Sequence, residues 1–259
     1  LFEELAADSI STPNYKIHTS LKPSIRQQNR ERSYASVSAL GDLNYMLADK
    51  SLVKTGLGAE FTALLNNKWY FRLAAVQGLS TFDSIYQPKT YISSQQTDFD
   101  LYTDLRGRIS YTPNHIFNFQ AGLDHNFIGQ GARSLFLSDY GNPYPFGLIR
   151  ANFWRFEYSV MYQFLQEGTA GDWEGKFASS HHISFNATPW LNLSIFESVV
   201  FQPRDTLLQR GFDVEYLNPF VFYRPQEYSL GSSDNVLLGM EISAVIKKNH
   251  TVYSQIILD

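Results

Sequence analysis

Residues 99–111 read FDLYTDLRGRISY, and they decide the fold class. Phe99, Leu101, Thr103, Leu105, Gly107, Ile109 and Tyr111 fall on one parity. Asp100, Tyr102, Asp104, Arg106, Arg108 and Ser110 fall on the other. Successive side chains of an extended strand point to opposite sides, so this stretch predicts a strand with one apolar and one charged face.

The same period recurs on both sides of it. Leu57, Ala59, Phe61 and Ala63 alternate with Gly58, Glu60 and Thr62, and Trp69, Phe71, Leu73 and Ala75 with Tyr70, Arg72 and Ala74. Phe117, Phe119, Ala121 and Leu123 alternate with Asn118, Gln120 and Gly122. Tyr158, Val160, Tyr162 and Phe164 do so with Glu157, Ser159, Met161 and Gln163, and Leu238, Met240 and Ile242 with Gly239, Glu241 and Ser243. Roughly 12 or 13 such strands are expected, each near the ~9–11 residues that cross a bilayer when tilted.

The connections carry a second pattern. Short turns are expected at 48–52, 66–67, 113–115, 154–155, 187–190 and 247–250, and long loops at 80–98, 127–146, 167–176 and 202–235. Beyond the first strand, short and long alternate, which is the asymmetry of an outer-membrane barrel with short periplasmic turns and long outer loops. Trp69, Tyr111, Phe117, Trp154, Trp190 and Tyr253 all lie near a short turn, as an interfacial aromatic girdle requires. The charged parity holds both signs, so it reads as a filled or constricted interior rather than an open channel of one sign.

Composition agrees. Aromatic residues make up 15% of the 259 residues and charged residues only 18%; the mean hydropathy is −0.24. That average would file the chain as soluble, but alternating barrel strands average out in the same way. The net charge of −4, without a Lys/Arg cluster, gives no argument for nucleic acid. The absence of Cys excludes disulfides and thiolate metal sites. No apolar run approaches the ~18 residues of a membrane helix. Residues 1–35 are read as an N-terminal extension with a short helix and a first strand at Tyr15–Leu21, followed by a polar linker at 22–35. Residues 36–259 are read as the β domain. Asp259 falls in mid-strand, so a fragment of a larger barrel is expected.

Few motifs carry chemistry. Asp124-His125-Asn126 precedes Gly129-Gln130-Gly131-Ala132-Arg133-Ser134, but the third Gly and the helix of a phosphate-binding motif are missing, so a tight polar loop is the reading. Ser134, Ser138 and Asp139 with His125 hold the residue types of a hydrolase, with no spacing that orders them. His181 and His182 are adjacent on a strand and point to opposite faces, so they cannot share a metal. His182 is placed on the polar face with Ser184 and Asn186.

Two stretches resemble a known family. FIGQGARSLFLSDYGNPYPF (127–146) and FDVEYLNPFVFYRPQEYSLGSSDNVLLG (212–239) are similar to the RemB/Wzi-like outer-membrane proteins of Bacteroidetes, as are FWRFEY and SIFESVVFQ (194–202). The resemblance covers about residues 36–259. It implies an outer-membrane barrel, not an enzyme, that contacts lipid and takes part in surface-polysaccharide (capsule) attachment or gliding motility, with surface polysaccharide and other envelope proteins as partners. No cofactor is implied.

The segment Tyr216–Leu237 (YLNPFVFYRPQEYSLGSSDNVL) mixes aromatics, prolines and charges too densely for a solvated loop. It is expected to fold into the barrel as a plug, with Arg224 and Glu227 paired. The candidate ligand-binding set at the outer mouth is Arg133, Asp139, Asn218, Arg224, Glu227, Asp234 and Asn235. The alternatives are an outer-membrane channel and a soluble β-sandwich carbohydrate-binding module. The sandwich would require Phe99, Leu101, Leu105 and Ile109 to face a shared core.

Overall fold

A computed structural model describes residues 19–21, 33–47, 51–81, 94–96, 99–139, 142–169, 172–202, 204–205, 208–209, 235–247 and 250–258. Among these the chain is all-β and antiparallel, with no helix. The first strands are β1 (Thr19–Leu21), β2 (Tyr34–Leu47), β3 (Ser51–Leu65), β4 (Trp69–Ser80), β5 (Ser94–Gln96) and β6 (Phe99–Tyr111). They are followed by β7 (Phe117–Asp124), β8 (Tyr144–Phe153), β9 (Phe156–Thr169), β10 (Asp172–Thr188) and β11 (Leu191–Phe201). The last are β12 (Arg204–Asp205), β13 (Leu208–Gln209), β14 (Asn235–Ile246) and β15 (His250–Leu258). The chain divides into two compact units, Leu1–Arg108 and Ile109–Asp259, with β6 running across the division.

In the first unit β1, β2, β3 and β4 pair in chain order, and β5 pairs with β6. The register Ser38↔Glu60↔Ala74 and Asp42↔Gly56↔Gly78 puts even-numbered residues of β2, β3 and β4 on one face. Odd-numbered Leu43, Phe61, Leu73 and Leu79 lie on the other, and all are exposed; Leu57 is 78% exposed. The β3–β4 turn is closed by Lys68 N–H donating to Leu65 O (3.0 Å), with Asn66 and Asn67 both left-handed (φ 52° and 54°). Asn tolerates that region better than most side chains, and two consecutive left-handed residues match the twist of a hairpin.

The polar face of this unit is cross-linked. Asp42 accepts from Tyr102 Oη (3.0 Å) and Asn44 Nδ2 (2.6 Å), and Lys54 Nζ lies 3.5 Å from the same carboxylate. Lys54 Nζ also sits 4.4 Å from the centre of the Tyr102 ring. Arg72 Nε donates to Glu60 Oε2 at 2.7 Å. Arg106 Nε lies 3.1 Å from Asp104 Oδ2, within ion-pair reach but out of line for a hydrogen bond. Charges of both signs are thus held on the face that the sequence assigned to them.

In the second unit β7, β8, β9, β10, β11, β14 and β15 pair in that order. No described strand pairs with the other edge of β15, and the sheet is not closed among the described residues. The register Asn152↔Glu157↔Ser184↔Ser194↔Glu241↔Gln255 runs straight across six strands and marks the polar face. Leu193, Ile195, Met240 and Ile242 lie on the opposite face and are exposed.

Three expectations are corrected. The long loop at 167–176 does not exist: β9 and β10 stay paired out to Thr169↔Asp172. Gly168 and Gly175 read as loop signals, yet Gly is accommodated where a partner strand supplies the ladder. The polar linker does not run to residue 35, since β2 begins at Tyr34 and Tyr34 pairs with Leu64. Tyr253 does not join a girdle. It opposes Ser243 on the polar face, and its ring occupies the space where a Cβ on Gly131 would stand. Trp69, Phe117, Trp154 and Trp190 are exposed beside their turns. On the polar face of the second unit, apolar side chains contribute to the filling. Ile128, Phe136, Phe146, Leu148, Met161 and Phe196 form its core, all buried there.

Candidate functional site

The residues that build this site lie in the connection between β7 and β8, which folds back over the polar face of the second unit. A single bridge, Ile128 N–H to Leu137 O (3.1 Å), closes it into a compact loop. Phe136 stacks on Phe196 with ring centres 4.9 Å apart and 6° between planes, and the His182 ring lies beside it at 6.4 Å. Gly239 makes this possible, because a Cβ there would overlap the Phe136 ring. A bulkier residue on β14 would lift the loop.

Glu241 is the polar anchor. It is 3% exposed, on β14 beneath the loop. The Gln130 N–H donates to both carboxylate oxygens (2.9 and 3.1 Å), Ser194 Oγ donates at 3.2 Å, and Gln255 Nε2 at 3.0 Å. Gln255 in turn accepts from the Leu135 N–H at 2.8 Å. A buried carboxylate is tolerated only when its lone pairs are met, and four donated bonds do that here. Ser134 belongs to the same scaffold. Its hydroxyl donates to Ile128 O and accepts from Phe136 N–H (3.1 Å) and Gln255 Nε2 (3.1 Å). The serine of the hydrolase reading is therefore engaged in holding the loop.

Below the loop, toward the β8–β9 and β10–β11 turns, the polar face opens into a cavity of about 500 Å³. Gln130 closes it from the loop side, and Asn152, Glu157, Ser184, Asn186 and Asn192 line its wall, with His115 and the 153–156 turn at the rim. Asn192 Nδ2 donates to Ser184 Oγ (2.8 Å) and to Asn186 Oδ1 (2.9 Å). Arg150 Nε lies 3.4 Å from Glu157 Oε1, an ion pair without hydrogen-bond alignment. In the turn Trp154 adopts φ 50°, which is costly for a bulky side chain. Two bonds across to β10 hold it: Arg155 Nη1 to Ala187 O (2.9 Å) and Asn186 N–H to Arg155 O (2.9 Å).

The apolar face of the second unit carries a buried patch. On β9–β11, Val160, Ser179, His181, Glu197 and Val199 are all buried, Glu197 to 1% exposure. His181 stands opposite Glu197, and its Nδ1 lies 3.2 Å from Tyr158 Oη. His181 and His182 thus face opposite sides, as their adjacency predicts.

The expected ligand set is not assembled among the described residues. Arg133 and Asp139 are exposed on the β7–β8 loop, and Asn235 is exposed at the start of β14, opposite Val200. Asn218, Arg224, Glu227 and Asp234, with the proposed Arg224–Glu227 pair and most of the Tyr216–Leu237 plug, lie outside the described residues. Of the described members of the set, Arg133, Asp139 and Asn235, none lines the cavity. The segment seen over the polar face is 127–139. Its sequence signal was the small-residue run Gly129–Gly131 beside Phe136, which a polar-loop reading discounts. Among the described residues no group of His, Asp and Glu has metal-binding geometry. No family model, curated protein or solved structure matches this chain.

Proposed function

We propose that the chain forms the wall of an outer-membrane β-barrel with an occluded interior, of the RemB/Wzi-like type, acting without catalysis in surface-polysaccharide attachment or motility. One observation carries the barrel reading. In each unit large apolar side chains on one parity are exposed, apart from a buried patch around His181 and Glu197, while Glu60, Arg72, Ser159, Gln163, Ser184, Ser194 and Glu241 on the other are partly or wholly enclosed. Exposed apolar side chains in this number are foreign to a water-facing surface, and they suit strand walls facing hydrocarbon. Leu105 and Ile109 are 47% and 40% exposed, which speaks against the sandwich, where they would be core. The polysaccharide role rests on the resemblance of residues 127–146 and 212–239.

The membrane reading is tested by extraction and by gel mobility. The protein should require detergent and run faster unheated than boiled. Recovery in the aqueous fraction without detergent, with one mobility, would overturn it. The polysaccharide role is tested by deleting the gene and measuring capsule retained on the cells, with unchanged retention and gliding as the contrary result.

A further inference from the structure

We infer that the short-turn rim of the second unit docks on the headgroups of anionic glycerophospholipids. The rim is contiguous. Asn152 N–H donates to Ile116 O (2.8 Å), Asn186 N–H to Arg155 O (2.9 Å) and Val245 N–H to Trp190 O (2.8 Å). These bonds join the start of β7 to the end of β8, the β8–β9 turn to the end of β10, and the β10–β11 turn to the end of β14. The four turns on this rim, 112–116, 154–155, 189–190 and 247–249, contain no Asp or Glu, and they carry Arg155, Lys247 and Lys248. Glu157, close to the rim in sequence, belongs to the polar face and lies 3.4 Å from Arg150. Carboxylates return at the far ends of the strands, with Asp139 in the β7–β8 connection and Asp172 and Glu174 at the start of β10.

The rim presents rings and cations together. Trp154 is 81% exposed, and Phe153, Trp190 and Ile246 are exposed as well. Trp154 rests on Phe156 and Phe185 of the apolar face, with ring centres 5.8 and 6.2 Å away. Its indole therefore carries the apolar face to its edge, the level at which Trp sits in a bilayer with its N–H among the headgroups. Arg155 and Lys247 are exposed at the same edge. The Arg155 guanidinium donates to Ala187 O (2.9 Å) and lies 5.5 Å from the Trp154 ring. That bond uses one of the five N–H donors of a guanidinium and leaves the others to meet a phosphate. Cations bordering an aromatic edge match the layer of a bilayer where apolar contact ends and phosphate begins. A zwitterionic surface would satisfy the rings but not the excess of positive charge; an anionic surface satisfies both.

The headgroup site deepens the barrel reading and rests on it, so the test separates the two. The full chain is reconstituted in phosphatidylcholine vesicles at low salt, with a fluorophore on Ile246→Cys at the rim or on Met240→Cys further along the apolar face of β14. Quenching by brominated phosphatidylglycerol is compared with quenching by brominated phosphatidylcholine of the same chain length. Both lipids should quench at both positions, and phosphatidylglycerol should be favoured at 246. Arg155→Gln should lower that preference about fivefold, the effect of one basic side chain near an anionic surface. Arg155→Lys, which keeps the charge, should retain it, and raised salt should remove it. Equal quenching by the two lipids at 246, or a preference that survives Arg155→Gln combined with Lys247→Gln, would overturn the headgroup site and leave the barrel standing. Quenching by neither lipid at 240 or 246 would overturn the barrel reading, and the site with it.

Discussion

At the scale of residues, two positions on β14 decide whether the 127–139 loop stays in place. Glu241→Ala removes the acceptor of the Gln130 N–H and partners of Ser194 and Gln255 together. Each buried group left unpaired costs about 1–3 kcal/mol, so a loss of at least that size is expected in a denaturant titration. Glu241→Gln keeps one acceptor oxygen and should lose less. Gly239→Val places side-chain atoms inside the Phe136 ring volume and should cost about 1–3 kcal/mol by overpacking. Near-native stability for Gly239→Val would mean that Phe136 is not seated on β14. A third pair of variants separates the two faces of β6. Leu105→Arg should cost about 2–4 kcal/mol in folding into lipid vesicles if it meets hydrocarbon. Arg106→Leu should cost less, because it removes only an off-axis partner of Asp104. Equal losses would count against the face assignment.

At the scale of elements, β11 carries its own internal control. Leu193 and Ile195 are exposed on the apolar face, whereas Glu197 and Val199, on the same face two and four residues further on, are buried. Fluorophores attached to cysteines at 193 and 195 should be quenched by brominated lipid, and one at 199 should not. Uniform quenching along the strand would show that the buried patch around Glu197 is open to lipid after all. The long β9–β10 hairpin makes the complementary point about length. With paired residues from Phe156↔Phe185 to Asp172↔Thr169, it exceeds the ~9–11 residues needed to span a bilayer. Its far end should therefore stand clear of the hydrocarbon and accept protease sites inserted at 170–171 without loss of the folded wall.

At the scale of the whole molecule, occlusion is the property with a direct electrical readout. The polar face of the first unit is bridged by ion pairs, and that of the second is covered by a loop with a hydrophobic core beneath it. Planar-bilayer recordings should show little steady conductance for the intact chain. Removing residues 129–135, which takes away both tethers to Glu241 and Gln255, should raise it. Large steady currents through the unaltered protein would favour the channel alternative.

Alternation of apolar and polar residues by itself determined the strands, their faces and most of their turns. That information is local: a period of two follows from backbone geometry and needs no knowledge of neighbours. Asn66-Asn67 and the opposite orientations of His181 and His182 were legible for the same reason. Which connection lies over the polar face was not legible. Phe136 lies more than a hundred residues of chain from Gly239 and Glu241, and only pairing through β8–β11 and β14 brings them together. The cavity was hidden likewise, since Asn152, Ser184 and Asn192 are unremarkable in sequence and become a wall only through register. Composition around Tyr216–Leu237 led to the expectation of an enclosed segment, most of which lies outside the described residues, and the pattern within a segment does not say what it packs against. Local periodicity fixes the faces of strands; contacts between distant residues decide what those faces enclose, and only the tertiary structure supplies them.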